Sequence, residues 1–170
     1  MFLDIRELER EKLLFEEKLL PGRIDFGKEV SQVEPLETSG SAELVATEIR
    51  LRGRLRTVVE VCCARCLEPA RHPVEIEFDL FYRPIQTIAR EEEAEIKPAE
   101  LEVGFYHGQG LMLEDALKEQ ILLALPMKST CRPDCAGLCP QCGQNRNVAA
   151  CGCRPLAAED RWAPLAGFQE

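Results

Sequence analysis

The 170-residue chain lacks any apolar run of the roughly 18 residues needed to cross a bilayer as a helix, so no membrane span is expected. Its first twenty residues, "MFLDIRELEREKLLFEEKLL", lack the basic start and continuous apolar core of a secretory signal, which points to the cytoplasm. Histidine is scarce, with only His72 and His107. His72 lies near a cysteine pair but is expected to be a turn residue rather than a ligand. His107 sits in "GFYHGQG", which lacks the spacing and the Lys-Ser/Thr ending of a phosphate loop. No Ser/His/Asp set or paired-carboxylate arrangement can be defended from spacing, so no enzymatic class is indicated. Positive charge is also short, 21 basic against 30 acidic side chains, which argues against non-specific coating of nucleic acid.

That charge deficit is uneven. Residues 1–48 hold 6 basic and 12 acidic side chains, and residues 91–130 hold 3 and 9. Residues 49–90 reverse the balance with 8 and 5, leaving room for a local RNA-facing patch. The patch has an obvious candidate in "IRLRGRLR". Alternation with period two places Ile49, Leu51, Gly53 and Leu55 on one side of a strand, and Arg50, Arg52, Arg54 and Arg56 on the other. Guanidinium forks suit phosphate. The competing reading is a solvated strand face, with Glu75, Glu77 and Asp79 of the following strand as cross-strand partners.

Cysteine, by contrast, is abundant: nine in all, six of them within residues 131–153. A reducing compartment keeps thiols free, so metal binding or catalysis is favoured over disulfides. "CPQCG" has the form of a zinc knuckle, in which a glycine after the second thiolate permits the turn that aims backbone amides at sulfur. Structural zinc needs four ligands, and the preferred set is Cys139, Cys142, Cys151 and Cys153. Cys63 and Cys66 of "CARC", with Cys131 and Cys135, offer a possible second site; alternatively Cys135 replaces Cys151 or Cys153 in the first. Cys62 is expected to be a small buried hydrophobe. The spacing of Cys63 and Cys66 also matches a thiol oxidoreductase, although that motif works at a helix N-terminus and here lies between strands. An iron–sulfur cluster would likewise use four thiolates.

The coarse architecture follows from periodicity. Residues 4–20 carry a rough helical stripe (Ile5, Leu8, Phe15, Leu19), and 22–40 read as irregular or short strand. From Ser41 the period is two, and "HPVEIEFDLFYRP" alternates Val74, Ile76, Phe78 and Leu80, so the two runs predict an antiparallel hairpin turning at "CCARCLEPAR". Residues 88–100 are expected to be a solvated loop. A helix is predicted at 112–125, with Leu113, Leu117, Ile121 and Ala124 on one face and Pro126 ending it. The expected fold is therefore α+β: an antiparallel sheet, with barrel-like closure as one form it could take, one main helix, and a zinc-stabilised tail. Residues 1–130 would form the α+β domain, and residues 131–170 a cysteine-rich tail packed on it.

"CARCLEP", "LKEQILLALPMKSTC" and "CAGLCPQCGQNRNVAACGC…EDRWAPL" together resemble the bacterial YceD family, named for accumulation of large-subunit ribosomal RNA. The resemblance covers roughly residues 45–168. Its motif falls on Cys135, Gly137, Leu138, Cys139, Pro140, Cys142, Gly143, Asn145, Asn147, Cys151, Cys153, Asp160, Arg161 and Leu165. It implies a non-enzymatic factor in ribosomal RNA processing or large-subunit assembly, with ribosomal RNA or an assembly protein as partner. An adaptor that meets a basic ribosomal protein is the nearest alternative. Asn145 and Asn147 are expected to shape the turn after the knuckle.

Overall fold

The structure, a computed structural model, describes residues 1–85 and 103–153. The elements run β1 (Phe2–Asp4), α1 (Ile5–Leu8), β2 (Leu13–Leu19), β3 (Val30–Gln32), β4 (Leu36–Val45), β5 (Glu48–Cys62), β6 (Pro69–Pro84), β7 (Val103–Tyr106), β8 (Gly110–Met112) and α2 (Leu113–Ala124). One sheet has the order β2-β4-β5-β6-β7, with β3 also on β5; β1 and β8 form a separate two-stranded pair. The expected solvated loop at 88–100 lies outside the described residues, as do Asp160, Arg161 and Leu165.

The β5–β6 hairpin dominates. It pairs antiparallel from Ile49↔Tyr82 to Cys62↔Pro69. Odd-numbered residues of β5 face the core, and Ile49, Leu51, Leu55 and Val59 are buried, while the arginines between them face outward. On β6 the core face is Val74, Phe78 and Tyr82, with Ile76 and Leu80 only partly covered. At the centre Gly40 of β4 pairs with Gly53 of β5. A Cβ built on Gly40 would meet the Phe15 ring at 2.7 Å, and one on Gly53 would meet the Phe78 ring at 2.9 Å. Two rings thus lie over backbone that no other residue would leave open.

Three expectations change. Residues 4–20 are not one helix: only Ile5–Leu8 is helical, and Leu13–Leu19 is a strand paired with β4. Phe15 and Leu19 stand four apart, a spacing that fits one helical face and one strand face equally, and pairing with β4 decides between them. The run from Ser41 is also interrupted, because Ala46 takes a left-handed φ of 57° and folds β4 back on β5. Finally, the sheet is open rather than barrel-like, and it is mixed, since β7 runs parallel to β6. β2 and β7 lie at the two ends of the strand order and do not pair with each other. Closure would require those edges to meet, and β7 is only four residues long.

Helix α2 forms as its pattern predicts. Leu113, Ala116, Leu117 and Ile121 are buried in the main core beside Tyr82 and Tyr106. Ala124, in the last helical position, is exposed, and Ala116 completes the apolar face in its stead. After Pro126 the chain runs directly to the cysteine-rich segment.

Candidate metal centres

The turn joining β5 and β6 begins with Cys63, which continues the core-facing row of β5 and is fully buried. Cys62 points the other way and is exposed, so the expected buried role does not hold for it. From Cys63 the backbone makes a tight knuckle. The Leu67 N–H donates to the Cys63 carbonyl at 3.0 Å, and the Cys63 N–H donates to the Glu68 carbonyl at 2.8 Å. The same two bonds recur in "CPQCG": Gly143 N–H to the Cys139 carbonyl at 2.9 Å, and Cys139 N–H to the Gln144 carbonyl at 2.8 Å. Both knuckles need a left-handed residue after the second cysteine, and both have one, Leu67 at φ 62° and Gly143 at φ 73°. Leucine in that conformation is uncommon, which is why "CARCL" does not announce itself as a knuckle in the sequence.

Each knuckle meets a second cysteine pair. Cys63, Cys66, Cys131 and Cys135 form one cluster, and Cys139, Cys142, Cys151 and Cys153 the other; within each, all four sulfurs lie within 4.8 Å of one another. Cys63 Sγ stands 3.8 Å from Cys135 Sγ, and Cys66 Sγ 3.6 Å from Cys131 Sγ. Four thiolates held about 2.3 Å from one central ion stand about 3.8 Å apart at the corners of a tetrahedron, so the donors fit a single ion. A polynuclear iron–sulfur cluster spreads its thiolates over more than one iron and suits this spacing less well. Both clusters can hold a metal ion.

The charge state of the thiols fits the same role. Backbone N–H groups of Cys66, Arg65 and Cys131 converge on Cys63 and bring its pKa down to about 6. The amides of Cys142 and Gln141 do the same for Cys139, also to about 6. Cys135 is lowered mainly by the Asn147 amide, whose Nδ2 donates to its sulfur at 3.3 Å. Cys66, Cys131 and Cys153 respond in the opposite sense. Burial and its cysteine neighbours push Cys131 up to about 12, and hydrogen bonding with Cys142 together with burial does the same for Cys153. Cys63 and Cys135 in the first cluster and Cys139 in the second are stabilised as thiolates, while Cys66, Cys131 and Cys153 resist ionisation, a resistance that a bound cation relieves.

Asn145 and Asn147 do more than shape a turn. Asn147 Oδ1 accepts from the Ala136 N–H at 2.8 Å and from the Arg132 guanidinium at 2.7 Å, and its Nδ2 also donates to Asn145 Oδ1 at 2.9 Å. Leu138 and Asn145 form an isolated antiparallel bridge that closes the turn of the second knuckle. The segment is tied to the hairpin by Ala64 N–H to the Ser129 carbonyl, 2.8 Å, and Leu138 N–H to the Arg65 carbonyl, 3.0 Å. Gly137, at φ 71°, permits that approach: a Cβ there would stand 3.1 Å from the Arg65 carbonyl oxygen. His72 is on β6, not in a turn, and its Nε2 hydrogen-bonds the Ser129 hydroxyl outside both clusters. His107 lies in the turn between β7 and β8.

The arginine ladder faces carboxylates along its whole length, and Arg50 and Arg52 form ion pairs with one of them, Asp79. Arg52, Arg54 and Arg56 stand opposite Asp79, Glu77 and Glu75 on β6, and Arg50 and Arg56 opposite Glu43 and Glu37 on β4. Arg50 grips Asp79 with two bonds of 2.9 and 2.8 Å, and Arg52 reaches the same carboxylate at 3.3 Å. The Arg50 bonds hold the Asp79 carboxyl below its ordinary pKa and raise that of Arg50. Arg50 also lies over the Phe81 ring, 5.2 Å from its centroid.

An open, mixed sheet with α2 packed in its core and two four-cysteine clusters able to hold metal defines an α+β protein with a cysteine-rich end, and no helix among the described residues is long and apolar enough to cross a membrane. The family model described as large ribosomal RNA subunit accumulation protein YceD matches residues 51–169, and the chain belongs to that family. An uncharacterized protein of Mycobacterium tuberculosis is 34% identical, over 80% of this chain and 63% of its own length. A maize protein named large ribosomal RNA subunit accumulation protein YCED homolog 1, chloroplastic, is 29% identical, over 70% of this chain and 48% of its own. The chain thus spans less than two thirds of the curated relatives it matches. No solved structure matches it.

Proposed function

We propose that the protein is a non-enzymatic cytoplasmic factor supporting accumulation of ribosomal RNA and assembly of the large ribosomal subunit, with one structural zinc ion in each four-cysteine cluster. Membership of the YceD family carries the process, and the matched region spans both clusters. The donor sets support zinc: four thiolates close a tetrahedron and leave no position for a substrate, the hallmark of a structural rather than a catalytic site. The same closure weighs against a thiol oxidoreductase at Cys63 and Cys66. Both are buried within the cluster, whereas a redox thiolate has to meet its substrate. An adaptor docking a basic ribosomal protein is the second reading, and the net charge of −9 favours it.

The test combines metal analysis with a deletion strain. Purified protein is expected to hold two zinc ions per chain, and a folded protein with none would overturn the assignment of zinc. Cells without the gene are expected to lose large-subunit ribosomal RNA relative to small-subunit RNA, and to regain it with the wild-type gene. Normal RNA ratios in the deletion strain would sink the ribosomal role.

A further inference from the structure

The two basic regions of the molecule differ in what surrounds them. On the sheet, Arg50, Arg52, Arg54 and Arg56 of β5 stand opposite Glu37 and Glu43 of β4 and Glu75, Glu77 and Asp79 of β6, and Lys18 of β2 stands opposite Glu37. The described parts of the cysteine module, residues 63–71 and 127–153, hold five basic side chains (Arg65, Arg71, Lys128, Arg132, Arg146) against two acidic ones, Glu68 and Asp134. Leaving the cysteines aside, these side chains sum to +3 in a chain of net charge −9, with Arg71 paired to Glu60.

The cations are also gathered by the fold. The Arg65 guanidinium donates to the Cys135 carbonyl at 2.9 Å, and its own carbonyl receives Leu138. The Arg146 N–H donates to the Gly137 carbonyl at 2.9 Å, next to that same contact. Arg132 reaches Asn147, the neighbour of Arg146, at 2.7 Å. Lys128 precedes Ser129, whose carbonyl receives Ala64 beside Arg65. All four side chains are exposed, and among them only Arg132 makes an ion pair within the described residues, with the exposed Asp134 at 3.5 Å. Leu67 and Val148, 64% and 78% exposed, lie among them as apolar surface.

We propose that the face formed by Arg65, Lys128, Arg132 and Arg146 around the first cysteine cluster is the RNA-contacting surface of the protein, binding phosphates of a polynucleotide strand, while the arginine ladder of β5 is not. This rests on the ribosomal RNA reading above and adds the surface to it. Guanidinium forks held by a rigid scaffold suit phosphate, and here they stand among few carboxylates, whereas every ladder arginine has an acidic residue directly opposite it or, at Arg50 and Arg52, bonded to it. Each tetrathiolate zinc is formally dianionic, but N–H donors converge on the sulfurs of Cys63, Cys135 and Cys139, whereas the four cationic side chains are exposed. A polyanion meets the cations first.

The experiment measures binding of the full chain to a labelled oligouridine and to a labelled large-subunit ribosomal RNA transcript over a range of salt. The triple variant Arg65→Gln, Arg132→Gln, Arg146→Gln is expected to bind at least tenfold more weakly, with the salt slope reduced by about 2. Arg54→Gln with Arg56→Gln is expected to stay within twofold of wild type, and both variants to keep the wild-type metal content. Absence of binding by the wild type, unchanged binding by the triple variant, or an equal loss in the ladder variant would overturn the proposal. So would loss of metal together with binding in the triple variant, which would make the arginines supports of the cluster. Equal affinity for an oligo-aspartate of the same charge would assign the face to acidic proteins instead. Any of these can occur while the deletion strain still loses large-subunit RNA, so the surface and the ribosomal role fail separately.

Discussion

The two cysteine clusters use the same knuckle but join different things. The first takes Cys63 and Cys66 from the tip of the long hairpin, and Cys131 and Cys135 from a segment 65 or more residues later. Three of its four cysteines are buried, and it has its own small apolar core with Ala70 and Leu138. The second draws all four ligands from residues 139–153, and only Cys139 is buried. Long loops lose the most chain entropy on closure, so an ion in the first cluster constrains the unfolded chain more than one in the second. One cluster fastens a segment to the sheet, and the other shapes that segment locally.

The largest expected effect breaks this comparison directly. Cys66→Ser should lower the thermal midpoint by about 10 °C and remove one metal ion, by analogy with closing a loop of that length covalently. Cys142→Ser should remove the other ion at about two thirds of that shift. Differential scanning calorimetry with metal analysis decides, and equal shifts would mean that loop length does not separate the clusters.

A more selective effect is expected at Asn147, which bonds Cys135 Sγ and Ala136 in the first cluster. Asn147→Ala should speed metal release from that cluster about 10- to 100-fold in a chelator competition, leaving the second cluster unchanged. Uniform release from both would show that the asparagine holds the two knuckles as one unit. The smallest effect concerns the residue that completes each turn. Leu67→Gly removes an exposed side chain from a left-handed position and should stabilise by roughly 0.5–1 kcal/mol, whereas Gly143→Ala should cost about 1 kcal/mol. Denaturant unfolding of the metal-loaded protein measures both, and the opposite signs are the prediction.

Legibility in the sequence tracked the range of the interaction involved. The hairpin of β5 and β6 and helix α2 were readable, since Leu51 to Val59 and Leu113 to Ile121 repeat with the period of their own element. Strand β2 was not, because Phe15 and Leu19 satisfy both periods and only the partner strand β4 separates them. The left-handed turn at Ala46 gave no glycine signal and was missed for the same reason as the one at Leu67. The cross-strand acids opposite the arginines could be anticipated from spacing, but their register could not.

By itself, then, the sequence determined the strand alternation, the main helix, the "CPQCG" knuckle and the number of thiols available, because each depends on neighbours within a few residues. Tertiary structure alone decided that Cys131 and Cys135 reach the hairpin tip, that the sheet stays open, and that the arginine ladder lies between carboxylates. Those outcomes depend on which distant segments pack together, and packing is settled by the burial of the whole core rather than by any local spacing.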